Sequence, residues 1–69
     1  LKSGGNMPCI LNAANETAVQ AFTQEKISFL KIPEIVEECM QQISFISAPH
    51  MNDYIETDRL TRLKAIELI

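Results

Sequence analysis

The polar residues that could do chemistry gather in one amphipathic stretch, "LNAANETAV", residues 11–19. Glu16 carries a carboxylate that could act as a general base, and the amides of Asn12 and Asn15 could orient a reactant. The alternative is structural, because amides beside an apolar face can satisfy backbone groups of an irregular neighbouring segment. No second carboxylate, histidine or lysine stands nearby in sequence to complete an acid–base pair. We therefore interpret Asn12, Asn15 and Glu16 as a structural polar cluster and assign no catalytic residue.

The other residues that could bind a metal or a cofactor are scattered. His50 follows Pro49 in a loop-like segment, with Asp53 close behind. A histidine and an aspartate often occur near each other in surface loops without a metal-binding or proton-transfer role. Cys9 and Cys39 stand among apolar residues at helical spacing, which favours reduced, packed thiols over a disulfide. Two cysteines and one histidine without close spacing do not make a zinc site. We expect no metal and no cofactor bound by these residues.

Composition limits the class of protein. The 69 residues are 46% hydrophobic and 22% charged, as expected for one small folded domain or part of a larger one. The net charge is −3 and the six basic residues are scattered, which argues against a nucleic-acid partner. No apolar run approaches the roughly 20 residues that a membrane span requires. Because the chain opens on Leu1, we expect a piece of a longer polypeptide.

The first predicted helix covers about residues 8–24, with Pro8 in its first turn. At 100° per residue an apolar stripe follows one side of this helix. Its predicted members are Leu11, Ala14, Ala18 and Phe22. Asn15 falls inside the stripe, so we expect a buried amide that fixes the packing of this helix.

The segment "KISFLKI", residues 26–32, breaks the helical pattern and is rich in β-branched and aromatic residues. We predict a short extended connector whose Ile27, Phe29 and Leu30 enter the core. A second helix over about residues 33–43 follows, and it shows the clearest amphipathic spacing in the chain. Its predicted inner residues are Ile32, Ile35, Val36, Cys39, Met40 and Ile43.

The remaining segments complete an all-α prediction. Asn52 suits the N-cap of a short turn over residues 52–56, and Thr57 or Asp58 suits the N-cap of a third helix over residues 57–69. The predicted inner stripe of that helix is Leu60, Leu63, Ile66 and Ile69. At the other end, residues 1–6 read as the end of a preceding helix, closed by a left-handed glycine at position 4 or 5. We therefore expect residues 1–69 to form one domain of a bundle whose first helix is missing.

Two segments resemble a known family. "GGNMPCILNAANETAVQAF" with "KISFLKIPEIVEE" is similar to the C-terminal region of 1-deoxy-D-xylulose 5-phosphate reductoisomerases, and "NDYIETDRLTR" resembles the family's final helical segment. The matches lie in the family's order and cover nearly the whole chain. Two positions depart from the pattern. Glu25 stands where many members have a glycine that ends the first helix, so we expect the turn there to be either strained or differently built. Lys31 weakens the cap of the second helix.

The resemblance implies a parent enzyme of the non-mevalonate isoprenoid pathway. Members convert 1-deoxy-D-xylulose 5-phosphate to 2-C-methyl-D-erythritol 4-phosphate, using NADPH and a divalent Mg or Mn ion. They carry an N-terminal dinucleotide-binding domain and a central catalytic domain with the metal carboxylates and dimer contacts. The C-terminal four-helix bundle supports the catalytic domain. None of the family's catalytic, metal or cofactor motifs maps onto residues 1–69, so the implied role is non-catalytic support.

Partners and location follow as further expectations. The resemblance implies contact with the catalytic domain of the same polypeptide, a homodimeric parent, and a bacterial cytoplasm, with a plastid as the alternative. The runner-up function is a free-standing helical module that binds a partner helix in a groove. Without the first helix, part of the apolar surface would be uncovered, so we expect the isolated chain to self-associate.

Overall fold

The computed structural model describes residues 4–69, which fold into three α-helices without a strand. The helices are α1 (Met7–Thr23), α2 (Lys31–Gln42) and α3 (Met51–Leu68). The all-α prediction is confirmed. α1 packs against both other helices, and the molecule measures 36 × 23 × 15 Å. The expected end of a preceding helix falls partly on residues 1–3, outside the described residues.

The face that α1 buries is rotated from the predicted stripe. Leu11 and Phe22, expected at its centre, keep 38% and 39% of their surface exposed. The residues that are buried instead are Met7, Ile10, Ala13, Ala14, Ala18 and Ala21. Four of these six are alanines, and small side chains allow neighbouring helices to approach α1 closely. The buried face of α1 is therefore the one where alanines let the neighbouring helices approach closely, and not the one with the largest apolar side chains.

The end of α1 confirms the predicted strain. Glu25 has a φ of 60°, a left-handed conformation that favours glycine. The Lys26 N–H donates to Ala21 O at 2.9 Å and the Glu25 N–H donates to Phe22 O at 2.9 Å, which is the Schellman pattern of helix termination. The helix thus ends where the family's glycine would end it, with a side chain present at the strained position.

The connector between α1 and α2 is not extended. Lys31 N–H donates to Ser28 O at 3.1 Å and Ile32 N–H to Phe29 O at 3.2 Å, so the chain turns tightly into α2. Phe29 and Leu30, expected in the core, are 66% and 76% exposed, whereas Ile27 does pack against it. The β-branched and aromatic composition is misleading because Phe29 and Leu30 form the exposed turn that leads into α2.

The inner face of α2 matches the prediction. Ile32, Ile35 and Cys39 are buried, and Val36, Met40 and Ile43 pack against the core with partial exposure. The helix begins at Lys31, two residues earlier than expected, and no side chain caps its first turn.

The third helix is continuous, so the predicted division into a turn over 52–56 and a helix over 57–69 is wrong. α3 starts at Met51, where the carboxylate of Asp53 accepts a hydrogen bond of 2.9 Å from the His50 N–H. The expected cap Thr57 is instead buried inside the helix, and its backbone carbonyl accepts from the Thr61 hydroxyl at 2.7 Å. No glycine or proline interrupts residues 51–68, so nothing stops the helix there.

The inner stripe predicted for the third helix is also wrong. The four expected core residues are 40–60% exposed: Leu60, Leu63, Ile66 and Ile69. α3 instead turns Thr57, Thr61 and Ala65 toward the other helices, and all three are buried. Such small side chains permit close helix packing, and the threonine hydroxyls form hydrogen bonds there.

Candidate functional site

The buried amide of this molecule belongs to Asn6 and not to Asn15. Asn6 is fully buried at the N-cap of α1. Its Nδ2 donates to Ser44 O and to Thr57 Oγ1, each at 3.0 Å, and its Oδ1 accepts from the Ile46 N–H at 2.8 Å. The Asn6 N–H also donates to Ile46 O at 3.0 Å. This Asn6 network joins the start of α1 to the α2–α3 loop and to α3.

Gly5 permits the close approach on which the Asn6 network depends. Its φ is +60°, so Gly5 is the left-handed glycine that was expected at position 4 or 5. A Cβ at this position would lie 2.1 Å from Ile46 O, whereas a Cβ on Gly4 would meet nothing within 4 Å. The α2–α3 loop therefore occupies the space in front of the glycine turn.

The predicted polar cluster lies at the surface. Asn12, Asn15 and Glu16 are all exposed, so the expectation that Asn15 is a buried amide within the apolar stripe is wrong. Rotation of the buried face toward Ile10 and Ala21 moves Asn15 outward. Glu16 alone makes a tertiary polar contact, accepting from Arg62 at 3.0 Å.

Arg62 bridges two carboxylates between α1 and α3. Its Nε donates to Asp58 at 2.9 Å, and its other contact is Glu16. Hydrogen bonds to Asp58 first and Glu16 second raise the pKa of the Arg62 guanidinium, against a smaller opposing effect of burial. All three groups are more than a third exposed, so solvent weakens the pairs to about 0–1 kcal/mol each. The Glu16–Arg62 pair links α1 to α3, whereas the Asp58–Arg62 pair lies within α3.

Both cysteines are free thiols, as predicted. Burial raises the pKa of the Cys39 thiol, with Lys64 opposing the shift. Burial and then the charge of Asp58 raise the pKa of Cys9, whose sulfur lies 3.5 Å from Tyr54 O. Neither thiol is activated as a nucleophile, because activation requires a lowered pKa.

Helical periodicity does not reveal the Asn6 network, because periodicity singles out only the polar residues that lie within helical stripes. Asn6 stands just before the first helix, and its partners are 38 to 51 positions away. The available signal was an asparagine in a "GGN" turn directly before a helix that begins with Met-Pro. Asparagine is a preferred residue at that position. Here its side chain bonds the distant loop and α3 instead of its own helix.

An open groove of about 680 Å³ runs between α1 and α2. Its apolar lining consists of Met7, Ile32, Pro33, Val36 and Met40. Its polar lining consists of Asn15, Glu37 and Gln41. We call this surface the α1–α2 groove. Its lining has the composition of a surface that binds an apolar partner.

Comparison with known proteins decides the family. The family model described as the DXP reductoisomerase C-terminal domain matches residues 1–64. This chain belongs to that family. The 1-deoxy-D-xylulose 5-phosphate reductoisomerase of Bacteroides fragilis is 52% identical over 66 residues, covering 96% of this chain and 17% of the relative. Those of Halothermothrix orenii and Bacillus cereus are 49% and 41% identical, covering 97% and 99% of this chain.

The DXP reductoisomerase C-terminal domain is thus a small part of each relative, since this chain spans 17–18% of their length. No solved structure matches this chain. Across the residues of the domain that the structure describes, no helix has the length and apolar character needed to cross a membrane.

Proposed function

We propose that this C-terminal domain is a non-catalytic support for the catalytic domain of an NADPH-dependent 1-deoxy-D-xylulose 5-phosphate reductoisomerase. The parent would serve the non-mevalonate route to isoprenoid precursors. The observation that carries the proposal is the bonding of Asn6. Its amide is fully buried, and its side chain forms hydrogen bonds only with the chain's own backbone and with Thr57. A buried polar group used in this way fixes one arrangement of helices.

The residues present do not fit the cofactors that the family resemblance implies. Within residues 4–69 no three or more histidine, cysteine or acidic side chains come together where they could hold a Mg or Mn ion. The glycine turn before α1 could suggest a phosphate cradle, but the Ile46 carbonyl already fills the space next to Gly5. In this proposal, other parts of the parent would bind NADPH and the metal.

The partners in this proposal are parts of the same polypeptide. The α1–α2 groove is a suitable site for the preceding helix that would complete a four-helix bundle, because the groove is open and mainly apolar. The outer face of α3, with Ile55 and Ile66 about 60% exposed, offers a second apolar surface for the catalytic domain. The parent would be a homodimer in the bacterial cytoplasm. Family membership favours this reading over the free-standing interaction module.

The test separates support from catalysis in the intact parent enzyme. Glu16→Gln and Asn15→Ala should leave kcat within about threefold of the unmodified enzyme, because neither side chain would touch the substrate. Asn6→Ala should lower the melting temperature while the folded fraction keeps its kcat. Steady-state kinetics and thermal unfolding on the same samples measure both effects.

The matched control is Asn12→Ala, an exposed asparagine on the same helix as Asn15. It should change neither the melting temperature nor kcat. A fall of 100-fold or more in kcat at Glu16 or Asn15, with thermal stability unchanged, would give these residues a catalytic role and end the proposal.

A further inference from the structure

We infer that Asn15 and Glu37 determine which helix fills the α1–α2 groove in the parent enzyme. That helix is the segment immediately before residue 1. It carries a hydrogen-bonding side chain for the Asn15 amide and a cationic side chain for the Glu37 carboxylate. The inference rests on the proposed function, which gives the groove to a preceding helix, and it adds the chemistry that this helix must present.

The chain enters the domain at one end of the groove. Met7 is the first residue of α1 and belongs to the apolar lining of the groove. Its N–H donates to Gly4 O at 3.1 Å, and Gly5 has a φ of +60°, so residues 4–7 form a turn directly before α1. A helix that ends just before this turn runs back along α1, because short connections join antiparallel neighbouring helices.

The parent has enough polypeptide to supply such a helix. This chain spans 17–18% of the length of its relatives, and the family model that it matches describes a C-terminal domain. Most of such a polypeptide therefore precedes the domain. An amphipathic helix that lays its apolar face into a groove is a common mode of recognition in proteins.

The Asn15 amide lines the groove without a partner of its own. Asn15 is exposed, and within residues 4–69 its side chain forms no hydrogen bond. Once a helix covers the groove, water no longer reaches this amide, and a buried amide without a hydrogen bond is destabilising. The covering helix must therefore present a donor or an acceptor at this point.

The Glu37 carboxylate lacks a cation in the same way. Its Oε1 accepts a hydrogen bond only from Gln41 Nε2, at 3.5 Å, and no lysine or arginine within residues 4–69 pairs with it. Glu34 on the same helix lies outside the groove and does pair, with Lys31. Covering an unpaired carboxylate is costly, whereas a cationic side chain on the covering helix makes the contact favourable and specific.

Thermal unfolding of the intact parent enzyme tests both contacts. Asn15→Ala and Glu37→Gln should each lower the melting temperature by about 2 °C or more and leave kcat nearly unchanged. The matched controls are Asn12→Ala and Glu34→Gln, which remove the same groups outside the groove and should shift the melting temperature less than half as much. Equal shifts within each matched pair overturn the inference.

Photo-crosslinking in the same enzyme identifies what fills the groove. Benzoylphenylalanine placed at Gln41, which lines the groove, should crosslink to residues within about 20 positions before residue 1, the span of one helix. The same group at Gln42, which is exposed outside the groove, should not. Crosslinks from position 41 to a distant part of the parent, to a second subunit or to nothing overturn the inference.

The two proposals fail in different ways. If the domain is catalytic, Asn15→Ala lowers kcat 100-fold or more while the melting temperature stays unchanged. If only the present inference is wrong, kcat stays normal and the crosslinks from position 41 lie outside the preceding segment.

Discussion

Asn6 and Thr57 are 51 positions apart in the chain, and their side chains form a buried hydrogen bond of 3.0 Å between the start of α1 and the second turn of α3. The same amide holds Ser44 and Ile46 in the α2–α3 loop. One side chain thus connects three segments of the fold: the start of α1, the α2–α3 loop and α3.

Asn6→Ala should lower the free energy of unfolding by about 3 kcal/mol, because it removes three side-chain hydrogen bonds and leaves buried partners unsatisfied. Urea unfolding followed by circular dichroism measures the change. A double-mutant cycle with Thr57→Val should give a coupling of about 1 kcal/mol between the two side chains. Asn12→Ala is the control and should stay within about 0.5 kcal/mol of the unmodified chain. Additive effects of Asn6→Ala and Thr57→Val would contradict the direct contact.

The two adjacent glycines should respond differently to alanine. Gly5→Ala should cost at least about 2 kcal/mol, since the new Cβ would overlap Ile46 O and the left-handed φ would be strained. Gly4→Ala should cost less than about 0.5 kcal/mol, because its Cβ would meet nothing. Thermal unfolding of the two variants gives the comparison directly. Equal losses of stability would mean that the close approach at Gly5 is absent in solution.

Glu25→Gly should stabilise the chain by roughly 0.5–1 kcal/mol. The left-handed conformation costs a non-glycine residue about 1–2 kcal/mol, and glycine would relieve this strain. The greater flexibility of glycine in the unfolded chain offsets part of the resulting stabilisation. Gln24→Gly is the matched control, because Gln24 has a φ of −89° and gains no relief of strain. A destabilised Glu25→Gly variant would show that the side chain itself contributes more than the strain costs.

Stability should fall at alkaline pH in a way that depends on Cys39. Burial raises the pKa of its thiol above the unfolded value, so the folded state binds the proton more tightly. The stabilisation is complete below the unfolded pKa of about 8.5 and is lost as the pH rises through the folded pKa. Melting temperatures measured between about pH 7 and pH 10 should decline, and more gently in Cys39→Ala than in the unmodified chain. Parallel profiles for the two proteins would assign the decline to other groups.

The extent to which sequence predicted this molecule can be traced to particular residues. α2 was predicted well because its large apolar side chains alternate clearly with glutamates, and Ile35 and Cys39 are buried as expected. The strain at Glu25 was predicted from the family's glycine and is confirmed by its positive φ.

The errors in α1 and α3 have a common physical cause. Periodicity assigns the largest apolar side chains to the core, but α3 packs through Thr61 and Ala65 and leaves Leu63 and Ile66 outside. Small residues allow closer helix packing, and that preference depends on the neighbouring helix and not on the local sequence. The Asn6 network was beyond local reasoning for the same reason, since its partners become neighbours only in the folded chain.

The reach of the Asn6 hydrogen bonds also has a kinetic consequence. Bonds that join positions 38 to 51 residues apart require the loop, the start of α1 and the second turn of α3 to be in place together. Closing such long loops is entropically costly early in folding, so these bonds should form after the transition state. Loss of the Asn6 side chain should accordingly accelerate unfolding and leave the folding rate nearly unchanged. The lifetime of the native state, more than the speed of reaching it, then depends on a residue outside every helix.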